Sequence, residues 1–216
     1  SKANLWNIGC KYYDHDIARE LLPNTYLYTK KDLARFYNDY IVNPDRLYIL
    51  KKNLQRKEGI LVTNDYKTIM GGNDDKFVIM QEYLEDPYLI DGRKLNLRIY
   101  LLFCYNGSAQ YIFRHKQGKC IYTNKKYDKY SDDFETHITS FHLDPNIYDR
   151  LPLTTDNLYT YLSEQGKYTD YHSIMQNIDK NLALIAPVFR QTLYQRQSHK
   201  KHISTQLFAL DYVIDE

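Results

Sequence analysis

The sequence predicts an α+β chain, on three observations. Asp91 to Phe103 reads as one long strand with an apolar residue at every second position. Asn106-Gly107, just after it, is the strongest two-residue hairpin signal available. Two other stretches, one after Thr29 and one from about Tyr171 to Arg196, carry apolar residues at helical spacing.

The elements follow in order. Thr29-Lys30-Lys31-Asp32 has the form of a capping box, with Asp where Glu or Gln is usual. Leu33, Phe36, Tyr37, Tyr40 and Ile41 continue it as a helix, which Asn43-Pro44-Asp45 stops. Leu47 to Leu50 and Gly59 to Val62 are short strands, joined by the basic loop Lys51 to Glu58. Gly71 to Asp75 is a turn, and Phe77 to Leu84 is a further strand ended near Pro87. After the long strand, Tyr111 to His115 returns as a strand, and Gly118 turns the chain into Cys120 to Thr123. Lys125 to Ser140 is polar and reads as loop. The second helix buries Ile174, Ile178, Leu182, Ile185, Phe189 and Leu193, and Pro187 should kink it. Gln195 to Thr205 is polar and basic, and Leu207 to Ile214 closes the chain as a strand.

Alternation assigns faces. Leu95, Leu97, Ile99, Leu101 and Phe103 share the core face of the long strand. Lys94, Asn96 and Arg98 share the other face, about 7 Å apart, with Tyr100 beyond. Two cations and an amide in line suit a phosphate. An ordinary amphipathic strand with a wet face fits the periodicity alone better. In the last strand Leu207, Ala209, Asp211, Val213 and Asp215 share one face. Asp211 interrupts an apolar pattern there. A carboxylate in that setting needs a cationic partner, a metal or an open strand edge, because desolvating it alone is costly.

Composition sets bounds. The 216 residues suit one or two domains with a sizeable core. Lys+Arg 29 against Asp+Glu 27 leaves +2, too little for a general attraction to nucleic acid. No apolar run approaches the roughly 20 residues of a membrane span, and Ser1-Lys2-Ala3-Asn4 does not begin a signal peptide. Cys10, Cys104 and Cys120 are scattered and lack metal spacing. A reducing, cytoplasmic compartment fits them. Two basic stretches suit an acidic partner: Arg114, His115, Lys116, Lys119, Lys125, Lys126 and Lys129, and then Arg196, His199, Lys200, Lys201 and His202. For the second, a solvated loop is the simpler explanation. Neither has the regular aromatic interleaving that stacks nucleic-acid bases.

The joint order of these pieces resembles the tubulin tyrosine ligase-like family of ATP-grasp ligases. The resemblance runs from Pro23-Asn24-Thr25-Tyr26 through Lys51, Gly59-Ile60, Val78 to Leu84, Gly92 to Arg98 and His137-Ile138-Thr139-Ser140 to the strand Leu207 to Asp215. It implies an ATP-grasp fold: two α+β subdomains with antiparallel sheets and packed helices, enclosing a nucleotide cleft. Residues 1–84 would be the central subdomain and 85–216 the C-terminal one. It also implies the cofactors ATP and Mg2+, a free amino acid as second substrate, and an acidic protein such as tubulin as acceptor. Nucleic acid and membrane are not implied. In such a reaction ATP phosphorylates a protein carboxylate, and the amino acid's amine then forms an amide.

The resemblance assigns roles residue by residue. Lys51 would reach the ATP phosphates, and Lys2 loosely matches a second ATP-contacting lysine. Gln81, Glu82, Tyr83 and Leu84 would meet the adenine edge. Lys94 and Arg98 would serve catalysis beside the transferred phosphoryl group, where an arginine fork suits two oxygens. Asp211 would be the magnesium carboxylate. Departures stand beside these matches. Asn96 replaces an acid beside ATP, Ser140 replaces an Asn, and Tyr122 falls where a second arginine is expected, a place Arg114 or Lys119 could fill in space. The loop from Lys51 to Gly59 lacks extra glycines. The family pattern adds a small domain ahead of the region like Ser1 and a strand with Glu-x-Asn after the one like Leu207 to Asp215. Both are expected outside the 216 residues. Either a working ligase or a catalytically silent domain of the same fold, used for binding or assembly, accommodates these departures.

Overall fold

The computed structural model describes residues 3–54, 59–106, 109–197 and 203–215. The chain divides into two compact units, Ser1–Glu85 and Asp86–Glu216. Both have antiparallel sheets with packed helices, the α+β class that the sequence predicts.

The first unit runs α1 (Asn4–Tyr12), α2 (His15–Leu21), β1 (Thr25–Leu27), α3 (Lys30–Val42), β2 (Tyr48–Lys52), β3 (Ile60–Thr63), α4 (Tyr66–Gly71) and β4 (Phe77–Glu82). Its sheet has the order β1-β4-β2-β3. Alternation sends Tyr48 and Leu50 to one face, where they pack with Tyr26, Met80 and Phe36 of α3. The rings of Phe36 and Tyr48 meet edge to face at 5.1 Å. The capping box ahead of α3 forms only in half. Thr29 accepts the Asp32 N–H at 3.2 Å, but the Asp32 carboxylate takes the Leu27 N–H at 2.9 Å instead of reaching back. Asp is one methylene shorter than the Glu that usually closes this box.

Helix α2 is tied to α3 through His15. Its Nδ1 lies 2.7 Å from an Arg35 Nη1 and 3.4 Å from Cys10 Sγ. A guanidinium only donates, so Nδ1 accepts and the ring is neutral. Burial, then the nearby Arg35 and Lys31 cations, hold its pKa below 6.5, against the weaker opposing pull of Asp32 and Asp16. Trp6, the chain's single tryptophan, has its ring 6.0 Å from that of His15.

The second unit runs β5 (Leu89–Ile90), β6 (Arg93–Tyr105), β7 (Gln110–Arg114), β8 (Lys119–Tyr122), α5 (Phe134–His137), a 3-10 turn at Pro145–Asp149, α6 (Thr155–Glu164), α7 (Tyr168–Gln197) and β9 (Ser204–Val213). All four other strands pair with β6, each antiparallel. Asp91 and Gly92, at φ +51° and +71°, make the two-residue turn from β5 into β6, so the strand starts two residues later than its pattern suggests. Gly107 of the next hairpin lies outside the described residues. The core face of β6 is as expected: Leu95, Leu97, Ile99, Leu101 and Phe103 are 0–7% exposed. Leu158 and Leu162 of α6 and Ile174, Ile178 and Leu182 of α7 cover it. Helix α7 runs through Pro187, and the side chains of Leu193 and Arg196 lie outside what the structure describes. No described helix is long and apolar enough to cross a membrane.

Two outcomes follow for stability. Leu97→Ala should cost about 2–5 kcal/mol in urea unfolding, because it opens a cavity under the strand on which the whole sheet is built. The depressed His15 pKa means that its share of stability is complete above pH 6.5 and is lost as pH falls from there through the folded-state pKa. Trp6 emission should therefore titrate with a midpoint below 6.5, and His15→Gln should flatten that titration.

Candidate functional site

The open face of the second unit's sheet is built in rows across its strands. Lys119, Arg98 and Asp211 are in register on β8, β6 and β9, as are Ile121, Asn96 and Val213. Arg98 Nε donates to Asp211 Oδ1 at 2.6 Å, and its Nη2 donates to Oδ2 at 2.9 Å. This two-pronged pair has side chains 36% and 47% exposed, so Asp211 has a cationic partner but stands on the exposed face of β9, where no desolvation demands one. The bond to Asp211 raises the pKa of Arg98 still further. Two residues along, Asn96 Nδ2 donates to Thr139 Oγ1 at 3.1 Å, while its buried Oδ1 has no partner among the described residues. Lys94, next on this face, is only 5% exposed. Its backbone is clamped to Thr123, whose Oγ1 accepts the Lys94 N–H at 3.2 Å. Thr123 directly follows β8, and Thr139 lies in the turn after α5, within the segment His137 to Ser140.

The residues suit a phosphate-bearing ligand with a divalent cation. Lys94 and Arg98 supply positive charge, and the orphaned Asn96 oxygen is a free acceptor. Asp211 supplies hard oxygens. Among the described residues no cluster of three His, Cys, Asp or Glu could hold a metal unaided. Asp211 alone could offer an ion only one carboxylate, and Arg98 engages both of its oxygens.

Other expected positions fall differently. Tyr122 turns into the core, fully buried, with its hydroxyl donating to Pro152 O at 2.9 Å and its pKa pushed up by burial. It pairs with Leu95 and so shares the inward face. His137 is buried with Nε2 2.6 Å from Ser131 O, and Ser140 holds a φ of +55° while donating its N–H to Tyr122 O. Lys119 rests its ammonium 5.6 Å from the Tyr148 ring, and Arg114 pairs with Asp179 at 3.0 Å. Lys125 pairs with Asp133 at 2.6 Å. His199, Lys200, Lys201 and His202 lie outside the described residues, as does Lys2.

In the first unit, Lys51 and Gln81 meet. Lys51 Nζ donates to Gln81 Oε1 at 2.7 Å, and Gln81 Nε2 donates to Thr25 Oγ1 at 2.7 Å. They stand on the face opposite Tyr48 and Leu50, since Ile49 pairs with Gln81. Glu82 points the other way. Its Oε1 accepts from Arg46 at 2.8 Å and from Asn24 at 3.1 Å. Burial, with this carboxylate beside it, pushes Tyr48 up to about 12. The Glu82 and Tyr83 N–H groups are taken by Asn24 O and Leu47 O at 2.9 and 3.0 Å. Tyr83 is buried and Leu84 half-buried.

These are the features of an α+β protein of two antiparallel-sheet units, one of which lines up lysine, asparagine, arginine and aspartate on an open face. The chain belongs to the tubulin-tyrosine ligase family, whose model matches residues 2–216. It is similar to the protein polyglycylase TTLL10 of Macaca fascicularis, 36% identical over 62 residues, 29% of this chain and 10% of that protein. The inactive polyglycylase TTLL10 of Homo sapiens is 36% identical over 62 residues, 29% of this chain and 9% of that protein. The tubulin polyglutamylase TTLL6 of Homo sapiens is 31% identical over 112 residues, 50% of this chain and 11% of that protein. The matched stretches thus span about a tenth of these relatives' length.

An exposed ion pair is worth about 0–1 kcal/mol. A double-mutant cycle of Arg98→Ala and Asp211→Ala, read by urea unfolding, should give a coupling in that range that shrinks in high salt. A coupling well above it would make the pair a fixed strut.

Proposed function

We propose that this protein is an ATP-dependent, magnesium-requiring ligase. It joins a free amino acid to a carboxylate of an acidic protein through an acyl-phosphate. Tubulin is the acceptor that the relatives' names suggest, and the cytoplasm is the compartment. The observation that carries the reading is the line Lys94, Asn96, Arg98 with Asp211 in register beside it. In this reading residues 1–84 and 85–216 are the central and C-terminal ATP-grasp subdomains.

ATP supplies the phosphoryl group that activates the carboxylate, and magnesium supplies charge neutralisation. The chain's own residues position and neutralise, as in other phosphoryl transfers. Lys51 binds phosphate, held in place by Gln81. Gln81 to Leu84 border the adenine. Lys94 and Arg98 stabilise negative charge on the transferred group, Asn96 binds beside ATP, and Asp211 holds the cation. Arg98 would face the phosphate, and Asp211, which it now engages through both oxygens, would hold the magnesium. The Arg98–Asp211 pair is exposed, so opening it costs little.

One observation favours the silent-domain reading. Both Asp211 oxygens are engaged by Arg98, and Asn96 brings no second carboxylate to this face. Transfer of labelled glutamate, glycine or tyrosine onto tubulin, with ATP and magnesium, separates the two. Incorporation supports the ligase. ATP binding without incorporation of any amino acid supports the silent domain. No ATP binding by calorimetry removes the ligase reading and leaves the silent domain. Lys51→Ala and Lys94→Ala should each weaken ATP binding by about 1.5–3 kcal/mol, the value of a charge-assisted hydrogen bond. Unchanged affinity in both would refute the assignment of these lysines.

A further inference from the structure

The same sheet face continues past Arg98 into an apolar row. Leu207 of β9, Leu102 of β6 and Phe113 of β7 are in register across three adjacent strands. They are 66%, 38% and 54% exposed, on a sheet whose other face is a closed core. Neighbouring strands lie about 4.8 Å apart, so the three side chains form a contiguous patch roughly 10 Å wide. The patch floors a groove of about 790 Å³. Arg114, Lys116 and Lys119 line the groove, Arg114 already paired with Asp179, and among the described residues no carboxylate lines it.

Gly118 shapes the wall. A Cβ there would lie 2.7 Å from Ile99 Cδ1 and 2.9 Å from Arg98 O, so only glycine lets the loop between β7 and β8 lie this close to β6. An apolar patch of this kind, flanked by cations on its β7–β8 side, marks an interaction surface.

We infer that this groove docks an extended acidic segment through one bulky apolar side chain, seated on Leu102, Phe113 and Leu207, with its carboxylates on Lys116 and Lys119. The charge of the rim selects the acidic segment. The floor adds a requirement that acidity alone does not meet. Leu102 stands four residues from Arg98 on the same face, about 13 Å along the strand. An extended segment rises by a similar amount per residue. The anchor therefore sits about four residues from the carboxylate that Arg98 serves. This spacing rests on the ligase reading, whereas the docking itself does not.

The test compares two labelled peptides of equal charge by fluorescence anisotropy with the full chain. Both are Glu-rich; one carries a single Phe, which is Ser in the other. The Phe peptide should bind at least tenfold more tightly. Leu207→Asp and Phe113→Ser should remove that preference, and Lys116→Glu should weaken both peptides. All three positions are on the surface, so circular dichroism should be unchanged. ATP binding, measured separately by calorimetry, should be unaffected in the three variants, which keeps failure here distinct from failure of the ligase reading. Equal binding of the two peptides overturns the inference. So does a concentration-dependent dimer, seen by sedimentation and lost in Leu207→Asp, since a second copy would then own the patch.

Discussion

Everything in the second unit depends on the two-residue alternation of β6. Each of the other four strands pairs with it, so the strand is both the spine of the sheet and the partition between core and open face. Five large apolar side chains on one side fix its register, each worth about 1.5–3 kcal/mol when buried. A slip by one residue would send Asn96 and Arg98 inward and Leu97 and Ile99 into solvent. The hydrophobic core thus aims the polar line as a consequence of its own packing. No separate device is needed to hold Asn96 and Arg98 outward.

That coupling explains the balance of burial along the line. Lys94 is enclosed, Asn96 is half-enclosed with one oxygen unsatisfied, and the Arg98–Asp211 pair is open to water. Desolvation strengthens electrostatic contacts at the enclosed end, while solvent screening keeps the pair at the other end easy to part. The contrast with the first unit is informative. There the carboxylate of Glu82 is engaged by Arg46 and Asn24, and Lys51 donates to the Gln81 amide on the opposite face.

Much of this was legible in the sequence because alternation is local. The faces of β6 and β9 and the buried stripe on α7 follow from spacing, whereas Asp211, which spacing marks as interrupting an apolar strand, stands on the exposed face of β9. What spacing cannot give is register. That Arg98 is the partner, and that Tyr122 sits opposite Leu95 and therefore inside, are facts about strands distant in sequence. Several short elements were missed for a different reason. Helices α1, α2, α4 and α6 are 6 to 10 residues long, and α5, inside the stretch read as loop, is 4. Three of the longer four carry caps, Asp14 accepting from Ile17, Asp65 from Thr68, and a capping box of Thr154 with Asn157 in place of Glu, while α1 has no side-chain cap. The Asp91-Gly92 turn was also on view, but the run of alternating residues behind it absorbed it into the strand.

The central claim is that one face of β6, with Asp211 beside it, handles a nucleotide together with its metal. Calorimetric titration of ATP in the presence and absence of magnesium, for the native chain and for Asp211→Asn, tests it most directly. The account predicts that magnesium tightens ATP binding in the native chain and that the gain vanishes in the variant. A gain of equal size in both proteins would contradict it.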